Sequence, residues 1–121
     1  MKKILVVDDS LLMRNIIKER LSEKFSVVGE AKNGEDAIRL STELKPDIIT
    51  MDITMDGMNG MEAAKTILAS QPNIAIVMIS ALNENKLLSD AIKIGIKDFL
   101  VKPFTPQQLI SAIEKVAEKL K

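Results

Sequence analysis

The sequence predicts an α/β domain built on an open, doubly wound parallel sheet of five strands and five helices. Apolar, β-branched runs begin near Ile4, Val27, Ile48, Ile74 and Phe99, and helical periodicity fills the stretches between them, so a βα unit repeats five times. Runs such as Ile74-Ala75-Ile76-Val77-Met78-Ile79 lack polar alternation, as parallel strands covered by helices on both faces do. Five units are too few for the eight-stranded barrel, and right-handed crossovers then leave the open sheet.

The first strand is Ile4-Leu5-Val6-Val7, and the helix after it presents Met13, Ile17 and Leu21 together with Leu12 and Ile16. The strand near Val27 is more mixed, as an outer strand is, and its helix uses Ala37, Leu40 and Leu44. The third strand, Asp47 to Met51, leads to a helix that follows Asn59-Gly60 and buries Met61, Ala64 and Leu68. Asn33-Gly34 and Asn59-Gly60 read as turn or helix-start punctuation with no catalytic role. The fourth helix buries Leu87, Leu88, Ala91 and Ile92 and stops near Gly95, a natural residue for a helix C-terminus. After the mixed strand Asp98-Phe99-Leu100-Val101, Thr105 caps the last helix, Pro106 opens its first turn and Gln108 completes a Thr-x-x-Gln capping box. Leu109, Ile113, Val116 and Leu120 form its core stripe.

The 121 residues suit one domain with a core large enough to fold without disulfides or metals, and no linker, repeat or low-complexity segment divides residues 1–121. Seventeen basic and seventeen acidic side chains give no net attraction to nucleic acid or an anionic membrane. Cysteine and histidine are absent, which excludes thiol nucleophiles, Cys-ligated zinc, Ser-His-Asp catalysis and a role as phosphohistidine donor. Carboxylate chemistry remains. The apolar run after Met1-Lys2-Lys3 is too short for a signal peptide, and Ile74 to Ile79 falls far below the ~20 residues of a membrane span, so a soluble, cytoplasmic protein is expected.

Polar side chains stand where the strands run out: Asp8 and Asp9, Asp52, Ser80 and Lys102. An open parallel sheet binds its ligands outside the carboxyl ends of its strands. Oxygen donors favour a hard divalent cation, and a lysine neutralises phosphate oxygens. Two carboxylates about 4 Å apart repel by about 4 kcal/mol at an effective dielectric near 20, a conflict that a divalent cation removes. Magnesium fits, because it takes few protein carboxylates and accepts a phosphoryl oxygen as a further ligand. Asp52 then becomes the nucleophile toward phosphorus, with Lys102 and Ser80 on phosphoryl oxygens; it is already deprotonated and needs no base. Taken singly, an Asp pair reads as a helix cap, Ser80 as a turn residue, Lys102 as a strand end and Phe99 as core. Jointly, at successive strand ends, they read as one site.

The motifs Val6-Val7-Asp8-Asp9-Ser10, Met51-Asp52-Ile53-Thr54-Met55 with Met58-Asn59-Gly60, Ile79-Ser80-Ala81 and Val101-Lys102-Pro103-Phe104 resemble the receiver domain of two-component response regulators, most closely the single-domain chemotaxis type. The resemblance covers the whole chain and implies a flavodoxin-like strand order 2-1-3-4-5. It implies Asp52 as phosphoacceptor, Asp9 and Asp52 as direct Mg2+ ligands with the Thr54 carbonyl, and Asp8 acting largely through a metal-bound water. It implies Ser80 and Phe99 as the switch pair, a cis Lys102–Pro103 bond, and output through the face of the fourth helix, fifth strand and fifth helix, roughly Asn85 to Lys121. The implied partners are a histidine kinase or histidine phosphotransfer protein as donor and a downstream output protein, with no direct nucleic-acid contact and no membrane insertion. The implied state is a monomer, with an activation-dependent dimer open to it. Two departures stand out. Asp56 replaces the family's common proline, which is expected to loosen the loop and place another carboxylate near the metal. Phe99 lacks the hydroxyl of a tyrosine switch and would couple through burial and volume alone.

The leading reading is a non-enzymatic signalling switch that promotes its own phosphorylation and dephosphorylation. A Mg2+-dependent phosphatase with an aspartyl-phosphate intermediate would want a second acid where Thr54 stands. A flavodoxin-like cofactor carrier would want aromatic stacking, for which three Phe and no Trp or Tyr give poor support. A receiver excised from a transcriptional regulator is also open.

Overall fold

The structure, a computed structural model, describes residues 1–53, 59–81 and 85–120. Five strands, β1 (Lys3–Val7), β2 (Ser26–Ala31), β3 (Ile48–Asp52), β4 (Ala75–Ser80) and β5 (Asp98–Val101), alternate with α1 (Leu11–Leu21), α2 (Gly34–Leu44), α3 (Gly60–Ser70), α4 (Asn85–Ile94) and α5 (Pro106–Lys119). All neighbouring strands run parallel in the order β2-β1-β3-β4-β5, which bears out the doubly wound, flavodoxin-like expectation. Every residue of β3 and β4 is buried, whereas the edge strands β2 and β5 are mostly half-buried.

The alternation of side chains along each strand divides the core into two layers. Leu5, Val7, Ile49, Met51, Ile76 and Met78 face α2, α3 and α4, packing with Ala37, Ala63, Ala64, Ile67 and Ala91. Ile4, Val6, Ile48, Ala75, Val77, Ile79 and Leu100 face α1 and α5, packing with Ile17, Leu21, Leu109, Ile113 and Val116. Four of those five buried helix residues are alanine, with larger half-buried side chains such as Leu44, Leu68 and Leu87 packed around them.

The helix ends follow local chemistry. The side chains of Ser10, Asn33, Asn59 and Thr105 each accept the backbone N–H three residues on, and Gln108 completes the capping box of α5. Gly95 adopts a φ of 99°, and the N–H groups of Gly95 and Ile96 donate to the carbonyls of Ile92 and Ala91 at 3.1 and 3.0 Å. Those paired bonds stop α4 as a Schellman motif does.

Three expected core positions lie outside the core. Leu12, Ile16 and Ile92 are 71%, 40% and 73% exposed. On α1 only the row through Met13, Ile17 and Leu21 reaches the sheet layer, and Leu12 and Ile16 sit about 100° round the helix from it. Ile92 is displaced from buried Ala91 in the same way.

Candidate functional site

The strand phase that builds the core also builds the site. Ile4 and Val6 of β1 share the layer facing α1 and α5, and a period of two carries that row on to Asp8. The same count leads from Ile48 through Thr50 to Asp52, and from Leu100 to Lys102. Ser80 follows Ile76 and Met78 on the opposite row, the side on which Phe99 packs. All four strands point the same way, so these residues meet at one sheet edge, beside the place where the chain order reverses between β1 and β3.

Asp8, Asp9 and Asp52 each offer a carboxylate oxygen, and the three oxygens lie within 4.8 Å of one another. Asp8 and Asp52 are 1% and 4% exposed, whereas Asp9 is open to solvent. Lys102 extends over the pair, its Nζ 3.2 Å from Asp8 Oδ2 and 3.7 Å from Asp52 Oδ1. The Lys102 N–H also donates to the Ser80 carbonyl at 2.8 Å, which ties the last residue of β4 to the residue after β5. The Lys102–Pro103 peptide is cis, as expected. Asp8 Oδ1 accepts the Ser10 N–H at 2.9 Å, so the turn into α1 is braced by the acid it presents.

Among the described residues, three carboxyl groups and one amine converge at this sheet edge, two of the carboxyls buried. A hard divalent cation matches the all-oxygen donor set that Asp8, Asp9 and Asp52 present. The structure therefore brings together Asp8, Asp9, Asp52 and Lys102, with Ser80 on the neighbouring strand. The expected Thr54 ligand and the Asp56 substitution lie outside the described residues.

Two features of the site went unread in the sequence. One is a set of ion pairs behind β1. Glu30 of β2 accepts Arg14 Nε at 2.7 Å and a second bond from Lys18 Nζ, and Arg14 Nη1 donates to the Asp8 backbone carbonyl at 2.8 Å. The Lys18 hydrogen bond first, and the Arg14 bond second, hold the Glu30 carboxyl below the usual glutamate range. No spacing rule connects Glu30 to Arg14, because β2 and α1 meet only through the sheet order. The other is Gly60, where a Cβ would lie 2.3 Å from the Asp52 carbonyl oxygen and 2.8 Å from Ile53 Cα. Its signal was a glycine inside the first turn of a helix, a position that otherwise loses stability. Gly60 also donates its N–H to the Ile53 carbonyl at 2.9 Å, fixing the start of α3 against the end of β3.

The response regulator receiver domain profile matches residues 4–114. The chemotaxis protein CheY of Thermotoga maritima is 45% identical over 118 residues, covering 97% of this chain and 98% of that protein. The response regulator domain of Thermotoga maritima CheB superimposes with a TM-score of 0.89 at 36% identity, over 99% of this chain and 96% of that one. A chain of the CheX–CheY–BeF3–Mg2+ complex from Borrelia burgdorferi gives a TM-score of 0.89 at 31% identity, over 96% and 89% of the two chains. A family match over residues 4–114, with likeness in fold and over nearly the full length of a chemotaxis relative, has one reading: the chain belongs to the response regulator receiver domain family.

Proposed function

We propose that residues 1–121 form a single receiver domain acting as a phosphorylation-dependent switch, with Asp52 as its phosphoacceptor. The observation that carries this is the buried Asp52 carboxylate, with Lys102 Nζ at 3.7 Å and the oxygens of Asp8 and Asp9 within 4.8 Å. Asp8, Asp9 and Asp52, with Thr54, would hold Mg2+; when bound, the ion supplies charge neutralisation that lets an anionic carboxylate approach an anionic phosphoryl group. An Asp52 oxygen attacks phosphorus as the bond from phosphorus to the donor's imidazole nitrogen breaks, and that nitrogen keeps the electron pair. Lys102 trades its two carboxylate partners for phosphoryl oxygens, and the Ser80 hydroxyl turns toward the same group. Water later attacks phosphorus, releasing inorganic phosphate and restoring the carboxylate.

Ser80 and Phe99 lie on one face of the sheet, Ser80 opposite Val101 and Phe99 opposite Met78, so a turn of the Ser80 side chain would be relayed to the ring across the β4–β5 pair. Phe99 borders a cavity of about 190 Å³ with Leu88, Ala91, Ile92 and Ile96, which gives the ring room to change its burial without a hydroxyl. Phosphorylation acts by stabilising one ring position over the other. The face of α4, β5 and α5 then changes for a downstream partner, and its exposed Ile92 and Val101 suit such contact. The donor is a histidine kinase or histidine phosphotransfer protein in the cytoplasm. The 45% identity to a chemotaxis protein supports a chemotaxis pathway, and the Borrelia complex of CheY with CheX, BeF3 and Mg2+ supports the metal and the engagement of a protein partner.

Incubation with acetyl phosphate and Mg2+, followed by intact-mass measurement, tests the reading. One phosphoryl adduct per chain is expected, absent in Asp52→Asn and after chelation of the metal. Multiple turnover of phosphoesters without an adduct would instead make the protein a phosphatase.

A further inference from the structure

The Arg14 guanidinium does something the phosphoacceptor chemistry does not require: it spans two acceptors with different edges of one plane. Nε is 2.7 Å from Glu30 Oε1, and Nη1 is 2.8 Å from the carbonyl oxygen of Asp8. That carbonyl belongs to the peptide joining the two N-terminal acids of the site. The side chain is only 12% exposed, so both contacts are made in a largely desolvated place. Lys18 also bonds Glu30 and fixes the orienting carboxylate from its other oxygen.

We infer that Arg14, aimed by Glu30, is a positioning residue for the cation site: by holding the Asp8 carbonyl it fixes the Asp8–Asp9 peptide and thus where the Asp9 carboxylate is presented. The inference rests on the proposed Mg2+ site. Asp8 has other restraints, since its N–H donates to the Ala31 carbonyl at 3.1 Å and its Oδ1 accepts from Ser10. Asp9 is exposed, and among the described residues none makes a hydrogen bond or ion pair to its side chain. The peptide plane ahead of it is therefore the main restraint on its direction. Groups that orient metal ligands without touching the metal typically change affinity by about 10–100-fold when removed.

The sign of the effect separates positioning from simple charge. Arg14 is a cation near a cation site, so electrostatics alone predicts tighter Mg2+ binding when it is neutralised. Positioning predicts the reverse. Arg14→Gln should weaken Mg2+ binding by about tenfold in calorimetric titration of the full chain with MgCl2. It should also speed amide exchange at Asp9 and Ser10 in metal-free protein while core amides keep their protection. Arg14→Lys retains the charge but a single ammonium does not reproduce two edges of a planar fork, so it should be weakened as well. Lys18→Gln, which touches Glu30 and not the Asp8 carbonyl, should bind Mg2+ nearly as the parent does.

Unchanged or tighter binding by folded Arg14→Gln, or parental binding by Arg14→Lys, overturns the inference. If Arg14→Gln does not fold, Arg14→Lys, which keeps the charge, decides it by the same two readouts. Absence of Mg2+ binding in the parent chain would sink the functional proposal instead. The exchange measurement would then still read whether Arg14 holds the turn, and unaltered exchange there overturns the inference as well.

Discussion

Thr50 is a hydroxyl in a place that calls for a hydrocarbon. It is fully buried at the centre of β3, opposite Val6 and Val77, and its Oγ1 has no hydrogen-bond partner among the described residues. Such a group keeps its desolvation cost, so Thr50→Val, close in shape, is expected to stabilise the fold by about 1 kcal/mol. A rise in the urea midpoint with an unchanged slope would show it, and Asp52 labelling should persist. Gly60 is the converse case, a residue whose missing side chain is its function. Gly60→Ala must displace either the Asp52 carbonyl or the first turn of α3, at a cost of about 1–3 kcal/mol, and should slow Asp52 phosphorylation along with the loss. Equilibrium unfolding and labelling rate, measured on one preparation, check both halves. Gly60 also marks where reading from sequence stopped. Asp8, Asp9, Asp52, Ser80 and Lys102 were legible because each follows an apolar strand run. Gly60 and Arg14 were not, because their meaning lies in atoms brought close by strand order and by the approach of a helix to a strand end.

At the scale of elements, what could be read depended on whether the signal was local. The capping box of α5, the glycine stop of α4 and the unalternated β4 each rest on neighbours within a few residues, and each is present. The widths of the buried stripes on α1 and α4 were over-read, since apolar character does not say which of two adjacent rows meets the sheet. Leu12, Ile16 and Ile92 are exposed for that reason. The join between α1 and β2 illustrates what remains hidden: Lys18 and Arg14 on a helix meet Glu30 on a strand, and those bonds depress the Glu30 pKa. A carboxyl whose folded pKa lies below its unfolded value contributes stability fully above the unfolded pKa, and the contribution is lost as pH falls through the folded one. With an unfolded glutamate near 4.3, the parent chain should therefore lose stability more steeply below about pH 4.3 than Glu30→Gln does. Parallel pH–denaturation curves for the two proteins check this.

At the scale of the whole molecule, the site sets the edge of the sheet against itself. Folding gathers oxygens of three carboxyl groups within 4.8 Å of one another, with Lys102 Nζ 3.2 Å from Asp8 and 3.7 Å from Asp52. If the proposed cation site is right, the metal-free and metal-bound states of this edge should respond to one substitution with opposite signs. In metal-free protein, Asp9→Asn removes an exposed like charge from the trio and is expected to raise stability by about 0.5–1 kcal/mol, the modest scale of screened surface charges. With Mg2+ the order reverses. A ligand that binds only the native state at a hundred times its Kd adds about 2.7 kcal/mol, and the parent chain should gain that while Asp9→Asn gains much less. Thermal melts of both proteins across a MgCl2 series should therefore cross, the variant melting higher under chelation and the parent higher at saturation. Parallel curves would mean that Asp9 does not help to hold the ion, and a variant that melts no higher under chelation would mean that Asp9 does not strain the metal-free edge.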